Sequence, residues 1–367
     1  MSHIVIDARI RRASTGRYVD RLVEHLQKID GQNRYTVLVQ PDDPWQPSAP
    51  NFSRVDSPYP QFSFNPLHQL GFARQLYGLS ADLVNFPMNQ QPLLYLKAVV
   101  TSTMDLTMLR FTRAGRHSAL FHALRMAAYK FLFWYSLKKS KAIITITEFV
   151  KGDLEKHYPF TRGHISVTYC ASEPPLDIEA IMLRGVREPF IMHAGSPFPH
   201  KNIDRLVTAF EILKQTYPKL QLVLAGKKEY YFEQLEKQAK TSKYADDIII
   251  TGFISDEELK WLYLNAEAYV LPSLSEGFGL PGLEAMAHGC PLVSSNATCL
   301  PEVYGDAAHY FDPNNVEDIA AKTSEVIKNR ELRKELIRKG YIQLKKYSWR
   351  RMAEQTLVVY KKALNEK

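Results

Sequence analysis

Two series of alternating short apolar stretches and amphipathic stretches, separated by one proline-rich break, limit what this chain can become. In the first series, residues 4–8, 35–40, 81–86, 98–102, 142–147 and 164–168 read as strands, while 19–27, 118–137 and a segment from Glu148 read as helices. In the second, strands at 190–194, 220–225, 248–251, 268–271 and 291–293 alternate with helices at 202–216, 232–241 and 256–265. Helices at 316–329, 331–344 and 349–363 close the chain. Apolar strands joined by helices belong in parallel sheets covered on both faces. Pro174, Pro175 and Pro189 break the rhythm, which places a linker at 173–189. The expected fold class is α/β, two Rossmann-like domains facing a central cleft where small ligands sit. Segment 41–60, proline-rich and polar, is expected to be a loop rather than a core element.

A length of 367 residues suits two such domains. With 45% apolar and 23% charged residues, extended disorder is excluded. No apolar run approaches bilayer-spanning length, and Met1 leads directly into the first strand without a signal-peptide pattern. A cytoplasmic location is expected, with a peripheral place at the inner face of the plasma membrane as its variant. Cys170, Cys290 and Cys299 have no metal-type spacing and read as buried free thiols. The net charge of +8 sits mainly in the first 180 residues, which hold 21 Lys/Arg against 15 Asp/Glu. Residues 106–147 alone carry eight Lys/Arg and no acid, interleaved with Phe111, Phe121, Tyr129, Phe131, Phe133, Trp134 and Tyr135. Two readings stand: a basic surface helix facing anionic lipid or an acidic substrate, or a helix packed by its aromatics with solvated cations outside.

Residues 273–289 carry the densest chemistry. A strand leads into a glycine-rich turn bracketed by Glu276 and Glu284, and residues 283–288 read as a helix closed by Gly289. Such a turn offers unpaired backbone N–H groups and a helix dipole to an anion, and glycines let a ligand approach the main chain. Gly277, Gly279 and Gly282 match the Gly-x-Gly-x-x-Gly pattern of dinucleotide-binding folds. Pro281 interrupts that pattern, and the next strand ends in Ser294-Ser295-Asn296 without the ribose-binding acid. The dinucleotide reading also leaves both glutamates unexplained. Elsewhere, Gly195 begins a turn that ends at Lys201 before a helix, where the lysine either neutralises a phosphate leaving group or is a surface residue. Gly16 follows the first strand and marks either a ligand contact or a plain turn. Asp105 either orients an acceptor hydroxyl or caps a helix, and Ser255 or Asp256 caps the helix at 256–265.

The combination of Gly195, Lys201-Asn202, Glu276-Gly277-Phe278-Gly279-Leu280-Pro281-Gly282-Leu283-Glu284, the run from Leu300 to Ala308 and Phe311-Asp312-Pro313 resembles the retaining family-4 (group 1) glycosyltransferases of the GT-B fold. The resemblance spans essentially the whole chain but is weaker in its first half, where Gly16-Arg17-Tyr18, Asn85-Phe86-Pro87 and residues 144–149 carry it. It implies an acceptor-binding domain at 1–175, a donor-binding domain at 189–347 and a helix at 348–367 that crosses back to the first domain. It further implies that Glu284 holds the ribose hydroxyls of a nucleotide and Glu276 the hydroxyls of the donor sugar, a carboxylate offering two acceptors to a diol. Backbone groups of Gly277, Phe278, Gly279 and Leu280 would grip sugar and diphosphate. Lys201 would stabilise the departing diphosphate, with Gly195, Ser196 and His200 beside it. Gly252, Phe253 and Ile254 would line the base.

Glu276, Lys201 and Asp105 are thus the implied catalytic set, with Thr15, Gly16, Arg17 and Met104 on the acceptor side. Ser196 stands where the family commonly has an arginine, and Met104 where it has a histidine. The implied activity is hexosyl transfer, mannose favoured, from a GDP- or UDP-linked sugar to a glycan or lipid-linked acceptor in surface-polysaccharide synthesis. No cofactor, metal or nucleic acid is implied. A sugar-nucleotide epimerase or synthase of the same fold, a catalytically weakened nucleotide-sugar-binding protein and a dinucleotide oxidoreductase are the rivals.

Overall fold

A computed structural model describes residues 1–12, 15–111, 119–226 and 230–365. The chain divides into two compact units, Met1–Cys170 with Ser348–Lys367, and Ala171–Tyr347. Arg113, Arg116, Ser118 and the side chain of Phe121, all part of stretches weighed above, lie outside the described residues.

The N-terminal unit runs β1 (His3–Asp7), α1 (Gly16–Ile29), β2 (Arg34–Val39), β3 (Phe52–Asp56), α2 (Pro66–Gly78), β4 (Leu83–Phe86), β5 (Val99–Thr103), α3 (Thr107–Arg110), α4 (Ala119–Lys139), β6 (Ala142–Thr145), α5 (Glu148–His157) and β7 (Ile165–Val167). Its sheet has the order β3-β2-β1-β4-β5-β6-β7 with every pairing parallel. Covered on both faces, β1, β4 and β5 are buried at every position, polar Asn85, Thr101, Ser102 and Thr103 included. One expectation fails here: segment 41–60 holds β3. As the edge strand it buries only Phe52 fully, so Ser53, Arg54 and Asp56 give it the look of a loop.

Helix α2 was not expected either; Asn65 caps it, accepting from Leu67 N at 2.9 Å, with Pro66 in the first turn. The large apolar side chains of α4 divide between a buried and an exposed side. Tyr129, Leu132, Phe133 and Leu137 are buried, whereas Leu124, Phe131 and Trp134 are exposed.

The C-terminal unit runs β8 (Phe190–Ala194), α6 (Ile203–Thr216), β9 (Gln221–Ala225), α7 (Tyr230–Thr241), β10 (Ile248–Gly252), α8 (Asp256–Asn265), β11 (Ala268–Leu271), α9 (Leu280–Ala287), β12 (Leu292–Ser295), α10 (Leu300–Tyr304), β13 (Ala308–Phe311), α11 (Val316–Lys328) and α12 (Arg330–Leu344). The final helix, α13 (Trp349–Asn365), packs on α1 in the N-terminal unit. The second sheet, also all parallel, has the order β10-β9-β8-β11-β12-β13. Ile191, Leu206, Phe210, Leu222, Val270 and Val293 centre its core. Ser255 rather than Asp256 caps α8, in a reciprocal capping box with Glu258.

The expected linker is not a tether. Lys260 Nζ donates to Leu176 O and Ile178 O at 2.9 and 2.8 Å, Ile181 N donates to Glu257 O at 3.2 Å, and Leu183 and Val186 are buried. This strap belongs to the C-terminal unit from Ala171 onward. Both sheets are Rossmann-like. In the second, chain order reverses direction between β8 and β11, and the crevice outside the carboxyl ends of strands at such a switch point is where open α/β sheets bind ligands.

Candidate active site

Two loops leave that switch point, residues 195–202 after β8 and 272–279 after β11. Gly195 has φ +142, a conformation that disfavours side chains, and its N–H donates to Ala225 O at 2.8 Å. Pro199–Lys201 forms a single 3-10 turn, and Asn202, left-handed at φ 60, starts α6. The Asn202 amide, 1% exposed, donates to Pro272 O at 3.0 Å and Pro313 O at 2.8 Å. Leu274 N donates to His200 O at 2.7 Å. The loops are therefore pinned to each other before any ligand arrives.

This pinning brings Lys201 and Glu276, 75 residues apart in sequence, into contact: Lys201 Nζ donates to Glu276 Oε1 at 2.6 Å. Ser273 Oγ donates to the same oxygen at 2.7 Å. Glu276 N donates to Thr298 Oγ1 at 3.2 Å, and the Cys299 thiol donates to Glu276 O at 3.2 Å, so the main chain is held from the far side. The side chains of Lys201 and Glu276 are 17% and 10% exposed. Burial alone would raise the Glu276 pKa; the charge of Lys201, the Lys201 and Ser273 hydrogen bonds and the charge of His200 outweigh it, and the carboxyl stays below its ordinary range. The result is a buried, ionised carboxylate beside an ammonium, with His200 adding positive charge when protonated.

Helix α9 begins at Leu280, three residues earlier than expected, because Pro281 fits the first turn of a helix rather than interrupting one. Gly279 is its N-cap at φ 84. Tyr304 donates from its hydroxyl to Gly279 O. A Cβ at Gly279 would strike Tyr304 and Leu300, and one at Gly282 would strike the Tyr304 ring. Two of the three patterned glycines thus make room for Tyr304, and Gly279 is demanded by its left-handed backbone as well. The Phe278 ring is buried edge-on against Tyr347 at 5.5 Å and anchors the turn.

At the start of α9 Pro281 has no N–H and Gly282 N donates to Gly279 O at 3.1 Å, so the N–H of Leu280 is the one that a helix start leaves without a partner inside the helix. Glu284 sits on its second turn, half-buried. Burial, with the carboxylates of Glu284 and Glu276 contributing, pushes the Tyr269 hydroxyl well up, and that hydroxyl donates to Ala194 O at 3.0 Å. Glu276, Glu284, Lys201, Gly195 and His200 therefore belong to one neighbourhood of the C-terminal unit. Ser196 lies in the same loop, its carbonyl accepting from Phe198 N at 2.8 Å.

The turn after β10 places Gly252 at φ +76 and leaves Phe253 85% exposed, with Ile254 following. A cavity of about 440 Å³ opens beside the Lys201 loop, lined by Phe198, Asp204, Tyr231, Gln234 and Gln238 among others. Among the described residues, no group of three or more His, Cys, Asp and Glu stands together as metal ligands would.

Thr15, Gly16, Arg17, Met104 and Asp105 belong to the N-terminal unit. A Cβ at Gly16 would collide with the Arg11 carbonyl, so the turn itself demands glycine there. Asp105 Oδ1 accepts from Thr107 N at 2.8 Å, closing an Asx-type turn ahead of α3, but the N-cap of that helix is Leu106, which corrects the expectation that Asp105 is the cap. The basic residues ahead of α1 are neutralised: Arg9 by Asp7, Arg11 by Asp20 and Asp43, Arg12 by Asp42. Three residues with roles here were not singled out from the sequence: His193, Thr298 and Tyr304. Tyr304 lay in a quoted motif; nothing in the sequence marks Thr298, whose left-handed φ of 55 is unusual for a β-branched residue.

Comparison with known proteins adds a family. Residues 178–343, nearly the whole C-terminal unit, match the model described as glycosyl transferases group 1. The O-antigen chain mannosyltransferase B of Escherichia coli is 32% identical over 239 residues, covering 62% of this chain and 62% of its own. The O-antigen chain mannosyltransferase RfbU of Salmonella typhimurium is 28% identical over 187 residues, covering 51% of each. This chain thus spans less than two thirds of the length of either relative. In structure, the sucrose-phosphate synthase of Thermosynechococcus elongatus matches with a TM-score of 0.76 at 17% identity over 99% of both chains. That likeness is one of fold, and the fold is GT-B.

Proposed function

We propose that this protein, whose C-terminal unit belongs to the group 1 glycosyltransferases, is a retaining hexosyltransferase that moves mannose from a nucleotide diphosphate to a surface-polysaccharide or lipid-linked acceptor. The observation that carries the reading is the buried contact of Lys201 with Glu276, 2.6 Å apart at the switch point of the second sheet and beside the N-terminus of α9. A cation and a carboxylate at one helix N-terminus suit a ligand that is anionic at one end and rich in hydroxyls at the other.

In this reading the bond between the anomeric carbon and the diphosphate oxygen breaks, the acceptor oxygen bonds to that carbon on the same face, and the acceptor proton leaves with the diphosphate. Lys201, the Leu280 N–H and the positive end of the α9 dipole meet the negative charge that develops on the leaving group. His200 supplies a second positive charge in the loop where Ser196 replaces the arginine implied by the resemblance. Glu276 accepts from the hydroxyls of the sugar, Glu284 from the ribose diol, and the turn Gly252-Phe253-Ile254 borders the base. Donor charge is balanced by these groups without a metal or cofactor, so turnover is expected to survive a chelator. Asp105, with Met104 and the Thr15-Gly16-Arg17 turn, serves the acceptor side.

We place the acceptor at an anionic membrane surface. Support comes from the outer side of α4, where Phe131 and Trp134, with ring centroids 6.0 Å apart, are 52% and 41% exposed beside Lys130 and Lys138. No helix among the described residues is long and apolar enough to cross a membrane. The deciding experiment is a thermal-shift screen of nucleotide sugars followed by transfer of labelled mannose from GDP-mannose to lipid-linked acceptors. Stabilisation by a nucleotide sugar and acceptor-dependent transfer, both weakened in Glu284→Ala and Lys201→Ala, is expected. Turnover of the donor alone into an isomer would replace the reading with an epimerase, and binding of NAD(P) in place of nucleotide sugars would remove it.

A further inference from the structure

The imidazole of His193, which the mechanism above does not use, sits at the carboxyl end of β8 two residues before Gly195 and is 3% exposed. Its Nδ1 lies 2.9 Å from Val270 O, a carbonyl that can only accept, so Nδ1 carries the proton and Nε2 presents a lone pair. Nε2 has no hydrogen-bond partner among the described residues. An atom placed as a Cβ on Gly195 would lie 3.7 Å from this Nε2 and, apart from the chain neighbours of Gly195, within 4 Å of no other described atom. The orphaned acceptor, itself shut off from solvent, therefore faces the side of Gly195, the glycine that starts the Lys201 loop, on which a Cβ would meet no other described atom beyond its chain neighbours. A buried acceptor left without a donor costs free energy, so its persistence points to a partner supplied from outside the chain.

The missing partner must donate. Phosphate oxygens are acceptors and would face a lone pair with a lone pair. Burial, with the charge of Lys201 adding to it, holds the ring pKa down at about 4, so the ring stays neutral and cannot serve the diphosphate as a cation. Resting on the proposed function, we infer that His193 Nε2 accepts a hydrogen bond from a hydroxyl of the transferred sugar, making His193 a sugar-contacting residue that sets the position of the hexose over Gly195.

The test uses the full chain with 15N-labelled histidine, titrated with GDP-mannose and separately with GDP, the His193→Phe spectrum identifying the signal. The Nε2 resonance is expected to move upfield with GDP-mannose and to stay in place with GDP. His193→Phe should keep the GDP affinity of the native chain and weaken GDP-mannose roughly tenfold, the loss of one such hydrogen bond. His193→Gln, which retains an acceptor, should recover part of it. If GDP-mannose stabilises the chain while the Nε2 resonance does not move, or moves equally with GDP, the acceptor is served by an enclosed water; this inference falls and the transferase reading stands. If neither compound binds, both fall together.

Discussion

A double-mutant cycle on Lys201 and Glu276 measures the feature on which the site rests. In Lys201→Met, Glu276 keeps its Ser273 hydrogen bond but loses the 2.6 Å ammonium contact while remaining 10% exposed. Stranding one partner of a buried pair costs about 3 kcal/mol. In a unit of this size that is a fall in Tm of roughly 6–12 °C. Glu276→Gln strands the ammonium instead and should cost a similar amount, whereas the double variant, with no buried charge unpaired, should recover about 1–2 kcal/mol relative to the sum.

The pH dependence has a definite sign. The folded Glu276 carboxyl lies below its unfolded value of about 4.3, so the unfolded chain binds the proton more readily. Its contribution is complete above that unfolded value and is lost as pH falls through the folded value. The stability gap between native chain and Glu276→Gln should therefore be flat from about pH 8 to 5 and close below about pH 4. Calorimetry on the four proteins gives both readouts. Single variants within about 0.5 kcal/mol of the native chain, with no coupling and no pH dependence of the gap, would refute a buried ionised pair.

Other expectations follow from the same geometry. Glu284→Ala should fold normally and abolish most of the thermal shift produced by GDP; an unchanged shift would remove Glu284 from nucleotide binding. Gly279→Ala, at φ 84 and against Tyr304, should destabilise by about 2 kcal/mol or more, and Tyr304→Phe should not relieve it, since the ring carbons remain. Relief by Tyr304→Phe would show that the hydroxyl alone creates the demand for glycine. Phe131→Ser with Trp134→Ser should reduce sedimentation with phosphatidylserine vesicles several-fold while lowering Tm only a little, as both residues are about half exposed; equal sedimentation would take α4 out of membrane contact. Ser255→Ala should cost about 1 kcal/mol through loss of the capping box on α8, measurable by denaturant titration.

Much of the architecture was legible because doubly covered parallel strands are largely apolar, so β8 and β11 read directly from runs such as Phe190–Ala194, while Ser255 with Glu258 marked the start of α8. What escaped was structure that does not obey that pattern. β3 is half-solvated at an edge, and β13 carries half-buried His309 and Tyr310 between its apolar ends. At the site, Glu276, Lys201 and the left-handed glycines were visible as residue types at suggestive spacings. Their contact depends on Asn202 bridging Pro272 and Pro313 across 111 residues, which no local pattern encodes. Gly279 and Gly282 carry a further lesson: the pattern marked real backbone constraints, but a tyrosine 25 residues downstream imposes them. His193 was hidden for the opposite reason, since a histidine in an apolar run looks like core until its second nitrogen is seen to lack a partner.

The thiol that holds Glu276 from behind has a use of its own. Cys299 is fully buried, and burial together with the nearby carboxylates of Glu276 and Glu302 keeps it far from ionising, so it is inert while its hydrogen bond to Glu276 O persists. A maleimide can reach it only when residues 297–300 lift away from the Glu276 loop. Its labelling rate is thus a clock for the local opening of this corner, readable in the native chain without any engineered probe, and any compound that tightens the corner should slow that clock even if it is never turned over.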